Sequence, residues 1–318
     1  MTRIALVGAA EIGASYATAR ARLPQIEFAA VVEGDPGSAR RLADLLGVPV
    51  ATTSFESLLD DGSASFDAVL IHGSGEARLA TAERAATAGK HVLVASPLAE
   101  SVAAARHLID VCRSAGVTLM VGQVSRFLPS RRAVKAAVDT GKLGEPGLLR
   151  IHAWTATAEQ DAKTIAVQHA VDGIDLAHWL FAGRPERVYA LGRPGYVQVH
   201  LGFPHGGMAL IDYATNLPEG DAYSSLSLIG STGAAYADDH PNRQLLFRGG
   251  PAQAINGGEG PLHLIAQLAD FVSAIEAKRE PTITGDAGMA AVQVAAAAVA
   301  SLEFRRVLRF SGGSYELA

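Results

Sequence analysis

A single cysteine, Cys112, in 318 residues leaves nothing for a disulfide to pair with inside the chain, so a disulfide-stapled scaffold is excluded and no oxidising compartment is required. Basic excess is missing too. With 27 Lys and Arg against 32 Asp and Glu the formal net charge is -5, which argues against nucleic acid or an anionic membrane as partner and for a small neutral or polar ligand. No stretch reads as a membrane span: the run Ala290–Ala300 is short, is interrupted by Gln293, and reads as a buried helix. Arg3 followed by an apolar run ending in Ala and Gly has the outline of a secretion signal, but the same residues supply a strand, a turn and a helix start. His200 and His205 fall on different segments and no cluster has zinc-site spacing, so no metal is expected. Neither a Gly-x-Ser-x-Gly turn nor a cysteine nucleophile setting occurs, which leaves a triad hydrolase without support. What remains is a globular chain, 49% hydrophobic and 19% charged, expected in the cytoplasm.

The first third alternates short β-rich runs with helical patterns, the signature of βαβ units and a parallel sheet. Strands are expected at Ile4–Val7, Phe28–Val32, Ala68–His72, Val92–Ala95 and Leu119–Val121, with helices at about 12–22, at about 37–46 before Gly47, and ahead of Gly89. Right-handed crossovers would set the carboxyl ends of these strands on one edge, where ligands of open α/β sheets bind. Beyond Gly122 the pattern changes to a helix at about 130–140 and a strand near Leu148–Trp154. Alternating runs follow at Val197–Leu201, Met208–Tyr213 and Leu226–Ile229, separated by Gly and Pro turns. They predict an antiparallel sheet with one face packed and one available, a natural surface for a homodimer or homotetramer. Arg248–Pro261, with five glycines, is expected as a loop, and a helix at about 262–277 follows. The fold class is therefore α/β. A Rossmann domain with a doubly wound parallel sheet spans 1–122, and a substrate-binding and oligomerisation domain with a mainly antiparallel open sheet spans 123–318.

Gly8-Ala9-Ala10-Glu11-Ile12-Gly13 directly follows the first strand and opens a helix, the setting in which a glycine motif signals a dinucleotide. Gly8 permits the tight turn and Gly13 lets helix and strand approach. The amides around Ala10, Glu11 and Ile12 then offer a helix N-terminus to a pyrophosphate. Ala10 stands where the pattern has its middle glycine. Glu33 ends the second strand, where a carboxylate can accept from both ribose hydroxyls and would repel a 2'-phosphate, favouring NAD over NADP. Arg40 and Arg41, one turn into the next helix, could instead recruit that phosphate or simply be solvated charges.

At Gly89-Lys90-His91-Val92-Leu93-Val94-Ala95-Ser96-Pro97-Leu98-Ala99 the sequence resembles the Gfo/Idh/MocA family of oxidoreductases, and the resemblance runs through the whole chain. The likeness includes the glycine turn, Arg126-Phe127 with Pro129, Gly141-Lys142-Leu143-Gly144-Glu145-Pro146, and Ile174-Asp175-Leu176-Ala177-His178-Trp179-Leu180. Gly230-Ser231-Thr232-Gly233 and Asp270-Phe271-Val272 also match. The resemblance implies a Rossmann domain joined to an α/β domain with a mainly antiparallel sheet, NAD as cofactor, and a sugar, cyclitol or related polyol or keto compound as substrate.

The departures fall where the family's chemistry sits. The family's Glu-Lys-Pro, whose lysine serves the nicotinamide and the reacting hydroxyl, is Ala95-Ser96-Pro97 here. Its Asp-x-x-x-His pair falls on Gln168 and Asp172, and its threonine-proline-asparagine segment is Gly73-Ser74-Gly75, with Arg78 in place of the usual histidine. Ala95, Pro97, His72, Gly73 and Arg78 are expected on the cofactor side. Arg126, Trp154 and Lys163 are expected on the substrate side, Lys163 as an amine able to swing in for the missing one. At helical spacing Gln168, Asp172 and Asp175 share one stripe, and His169 could pair with Asp172 across a turn. Asp172 assisted by His169 is thus the expected proton-transfer group, with Ser96 and Gln168 hydrogen-bonding the reacting oxygen. Two other outcomes stay open: an inactive NAD- or sugar-binding homologue acting as sensor or partner subunit, and a lyase or epimerase that uses NAD transiently.

Overall fold

A computed structural model describes residues 1–73, 75–215, 222–238, 243–247, 253–256 and 261–318 of the chain. They form two compact units, residues 1–127 with 260–289, and residues 128–259 with 290–318. A border at 122 therefore cuts the chain in sequence but not in space, because 260–289 belongs with the N-terminal part.

In the first unit the elements run β1 (Thr2–Val7), α1 (Gly13–Arg22), β2 (Ile26–Val32), α2 (Pro36–Leu46), β3 (Val50–Thr52), α3 (Phe55–Asp60), β4 (Ala68–Ile71), α4 (Gly75–Thr87), β5 (His91–Ala95), α5 (Val102–Ser114) and β6 (Leu119–Gly122). The strands make one parallel sheet in the order β3-β2-β1-β4-β5-β6. Every residue of β4 and of β6 is buried, as a parallel sheet covered on both faces requires. Local chemistry sets the helix ends. Asp35 accepts the Ser38 amide at 2.7 Å ahead of α2, Pro36 takes the first helical position, and Gly47 closes the helix in the left-handed region.

In the second unit α6 (Pro129–Asp139), β7 (Pro146–Thr155), α7 (Ala162–Gln168), α8 (Ala170–Phe181), β8 (Arg187–Arg193), β9 (Tyr196–Gly202), β10 (Met208–Ala214), β11 (Ala222–Gly230), β12 (Ala234–Asp238), β13 (Arg243–Phe247) and β14 (Gln253–Asn256) are followed by α9 (Leu262–Ala277), which returns to the first unit. Leu268, Phe271 and Val272 of α9 share the first unit's core with Phe28 and Leu108. The chain ends with α10 (Gly285–Phe304), β15 (Leu308–Ser311) and β16 (Ser314–Leu317). A ten-stranded sheet, β14-β13-β12-β11-β7-β10-β9-β8-β15-β16, carries a single parallel pair, β7 with β10, among antiparallel neighbours. One face packs Leu149, Ile151, Val199, Ile211 and Leu228 with Val171, Ile174, Val294 and Ala298, a second core separate from the first.

Two expectations need correction. Gln253–Asn256, expected inside a loop, pairs with β13; the remainder of 248–260 lies outside the described residues. The apolar run thought too short for a membrane is part of the twenty-residue α10, which by length and composition alone could cross one. Ala291, Val294, Ala295 and Ala298 are fully buried in the second core, which makes it a core helix.

Candidate active-site residues

Gly8 adopts φ +67° at the end of β1, and a Cβ there would stand 3.2 Å from the His72 carbonyl oxygen, so the turn depends on glycine for its conformation and for its close approach to β4. A short 3-10 turn, Ala10–Ile12, precedes α1. The helix expected from residue 12 thus starts at Gly13, where a side chain would run into Leu42 of α2. Ala10 and Glu11 are exposed on the turn, and Ile12 is half-buried. Glu33, just past β2, is buried and accepts the Ala9 amide at 2.6 Å. Burial raises its carboxyl above the ordinary range against the pull of the Ala9 and Ala10 amides, and Glu11 adds to the rise. A carboxylate has lone pairs for a turn amide and a ribose hydroxyl together, so this cradle of left-handed glycine, turn amides and acid fits a dinucleotide. Arg40 pairs with Asp44 at 3.1 Å, and Arg41 donates to the Ser38 hydroxyl at 2.8 Å, so both arginines are engaged on the exposed surface of α2.

Next to the glycine turn, His72 follows β4 and its Nε2 lies 2.7 Å from the Tyr16 hydroxyl. Burial, helped by the Arg78 charge, pushes the imidazole down to about 4, so the ring is neutral at pH 7. Burial raises the Tyr16 phenol as well. Tyr16 was invisible as a site residue in the sequence, since a tyrosine one turn into a helix reads as core. Arg78, on α4, is buried and donates from one Nη to the carbonyls of Gly73 (3.0 Å) and Ala95 (3.2 Å). It therefore ties the end of β4 to the end of β5. The Ser96-Pro97 peptide is cis, Ser96 is half-buried and Pro97 is buried. Ser74 lies outside the described residues. Arg126 sits on the 3-10 turn Val124–Phe127 that follows β6.

In the second unit the expected helical stripe is broken. Gln168 ends α7 and Asp172 and Asp175 lie on α8, while His169 between them leaves helical geometry at φ -121°, ψ -51°. The even spacing of one continuous helix therefore does not carry from Gln168 to Asp172. The Nε2 of His169 lies 2.9 Å from Gln160 Oε1, and its ring stacks on Tyr213 at 4.9 Å between centroids. The Asp172 amide does donate to the His169 carbonyl, at 3.4 Å. Burial lowers the imidazole, and the Tyr213 phenol is raised chiefly by burial, with the Asp172 charge adding. His169, Tyr213 and Asp172 thus form one group, with Gln160 fixing the ring. No sequence signal marked Gln160 or Tyr213, which reach the group from a loop and from β10.

Two residues expected on the substrate side, Lys163 and Trp154, have these surroundings. Lys163, in the first turn of α7, binds Glu303 at 2.7 Å in an exposed ion pair, so its amine is engaged on the surface. Trp154 pairs in register with Ala214, one residue past Tyr213, so the period of two puts the indole on the opposite sheet face from Tyr213 and His169. There it stacks on Tyr223 at 4.3 Å beside a cavity of about 670 Å³ that Arg150, His152, Gln198 and Asp212 also line.

A parallel sheet in the order 3-2-1-4-5-6 with a left-handed glycine at its first turn and a buried acid after its second strand defines a dinucleotide-binding Rossmann protein, here with an added open-sheet unit. The chain belongs to the Gfo/Idh/MocA oxidoreductase family: residues 2–123 match the family's NAD-binding Rossmann fold, and residues 131–236 match its C-terminal domain. It is an NAD-dependent oxidoreductase of that family. Similar relatives include a myo-inositol 2-dehydrogenase of Thermotoga maritima, 24% identical with 96% of this chain and 98% of that protein covered. An inositol 2-dehydrogenase of Rhizobium meliloti is 26% identical over the same shares. Among solved structures, an oxidoreductase from Agrobacterium radiobacter in complex with NAD+, L-tartaric acid and magnesium superposes with a TM-score of 0.85 at 18% identity, covering 97% of this chain and 98% of that one.

Proposed function

We propose that this chain oxidises or reduces a sugar, cyclitol or related polyol or keto compound with an acid-base set of its own. The observation that carries the cofactor side of this reading is the Glu33 carboxylate, buried on the Ala9 amide beside the left-handed Gly8, where it can accept from ribose hydroxyls and would repel a 2'-phosphate. The inositol dehydrogenases among its relatives support the substrate class. Bound NAD supplies the hydride chemistry. Gly8, Ala10, Glu11, Ile12 and Gly13 frame the pyrophosphate side. Among the residues at the family's chemistry positions, Ser96 would offer a hydroxyl for hydrogen bonding to substrate oxygen. Asp172 would take the proton, Gln168 would hydrogen-bond the substrate, and His169, held by Gln160 and Tyr213, would assist Asp172.

Thermal unfolding with NAD, NADH, NADP and NADPH tests the cofactor side. A ligand that binds only the folded chain at a hundredfold excess over its dissociation constant stabilises it by about 2.7 kcal/mol. The expected result is an upward shift with NAD and NADH, mostly lost in Glu33→Gln, followed by NADH formation with inositols or aldoses. No shift with any dinucleotide would overturn the proposal. Ser96, standing where the family has its lysine, favours a second reading. Binding without turnover would mark a sensor or partner subunit. Solvent deuterium entering substrate without NADH build-up would mark an epimerase or lyase.

Ile229, Leu148 and Met208 stand side by side across β11, β7 and β10 on the outer sheet face, each about half exposed, with Leu191, Tyr196 and Tyr236 on the same face. A row of this kind is a surface for another copy of the chain, and we place Trp154 on it rather than on the substrate side. Sedimentation is expected to show a dimer or tetramer, and a monomer at micromolar concentration would contradict this. One buried thiol, Cys112, suits a reducing cytoplasm.

A further inference from the structure

Arg78 is a charge that the reading above leaves unused. The residue is 4% exposed, its hydrogen-bonding Nη rests on two neutral carbonyls, and its Nε is buried with no hydrogen-bond partner among the described residues. Among the described residues Glu100 is the carboxylate whose charge it feels, and Glu100 is exposed and accepts the Gly75 amide at 3.1 Å. The neighbouring titratable side chains, His72 and Tyr16, are neutral at pH 7. Burying a cation without a matched anion is costly, so a site that keeps one has a use for the charge.

The place of the charge says what the use is. The sheet order reverses between β1 and β4, and a dinucleotide lies across that point with one mononucleotide on each half. Glu33, after β2, takes the adenosine half. The nicotinamide half then belongs to β4 and β5, the two strand ends that Arg78 joins. Oxidised NAD carries a positive charge on its nicotinamide ring, and NADH does not. We infer that Arg78 sets the redox-state preference of the cofactor site, making the chain hold NADH more tightly than NAD+. The inference rests on the dinucleotide reading above and adds to it a direction, toward oxidation of the alcohol by bound NAD+ and retention of reduced cofactor. Through an effective dielectric of about 20, a unit charge at separations on the order of 10 Å changes a binding constant roughly tenfold.

Dissociation constants for NAD+, NADH and ADP-ribose, measured by calorimetry on the wild type, Arg78→Gln, Arg78→Lys and Glu100→Gln, test it. The wild type should favour NADH by about tenfold or more. Arg78→Gln should reduce that ratio by about tenfold, chiefly through tighter NAD+, whereas Arg78→Lys should keep most of it. Glu100→Gln, which removes the opposing charge, should widen the ratio and tests the idea without touching Arg78. ADP-ribose lacks the nicotinamide, so unchanged affinity for it shows that the variants fold and keep the adenosine half. A ratio unmoved in both Arg78→Gln and Glu100→Gln overturns the inference while leaving the dinucleotide site standing. A wild type that binds none of the three ligands overturns both.

Discussion

Asp172→Asn should lower turnover by a factor on the order of 10²–10⁴ with little change in NADH affinity, because a carboxamide of the same shape cannot take a proton and general acid-base catalysis contributes about that much. The substitution is local. Asp172 sits in the first turn of α8, whose packing rests on buried neighbours such as Val171 and Ile174, so the fold should hold. A second signature follows from Tyr213, whose phenol the Asp172 charge helps to raise. Removing that charge should lower the tyrosine's titration point, read by ultraviolet difference spectra, even if no substrate has been found. Turnover within about threefold of wild type would remove Asp172 from the chemistry and leave the binding-only reading in front.

Acidification should cost the wild type stability that His72→Gln does not lose. The buried imidazole titrates at about 4, and an unfolded histidine near its ordinary 6.5. Between those values the unfolded chain binds a proton that the folded chain refuses, so stability rises with pH and falls as pH drops through 6.5 toward 4. Over that window His72 alone removes about 3 kcal/mol. His91 and His169, also lowered by burial, act in the same direction in both proteins, so the comparison between wild type and variant isolates His72. Glutamine keeps a hydrogen-bonding group for the Tyr16 hydroxyl and cannot titrate. Urea unfolding at pH 7 and pH 5 should show the variant trailing or matching the wild type at pH 7 and gaining on it at pH 5. Parallel losses in the two proteins would mean that the ring accepts its proton in the folded state.

The first unit was the more legible half because its signals are local. Val7 to Gly8 shows a strand meeting a left-handed turn, Asp35-Pro36 and Gly47 bracket α2, and Glu33 follows an apolar run. Each depends on residues within one turn or one strand, where backbone sterics and capping decide the outcome. The helix at 262–277 was equally plain as an element. Its membership was not, since only packing shows that Phe271 and Val272 fill a core made mostly by residues 4–127.

Around the substrate-handling residues the sequence stopped short for a physical reason. Counting 168, 172 and 175 along one helix assumes unbroken 3.6-residue geometry, and the backbone leaves that geometry at His169. The partner of that histidine then comes from Gln160 and Tyr213, nine and forty-four positions away, through hydrogen bonding and stacking that no local pattern encodes. Sequence determined that this chain forms a dinucleotide-binding parallel sheet with an open second sheet, and which residue types stand where the family's chemistry sits. Tertiary structure alone decided that Arg78 is a buried cation, that His72 is neutral, that Lys163 is spent on Glu303 and that Trp154 faces the outer side of the sheet. Burial and pairing are properties of what packs around a side chain, and the neighbours that set them come from distant parts of the chain.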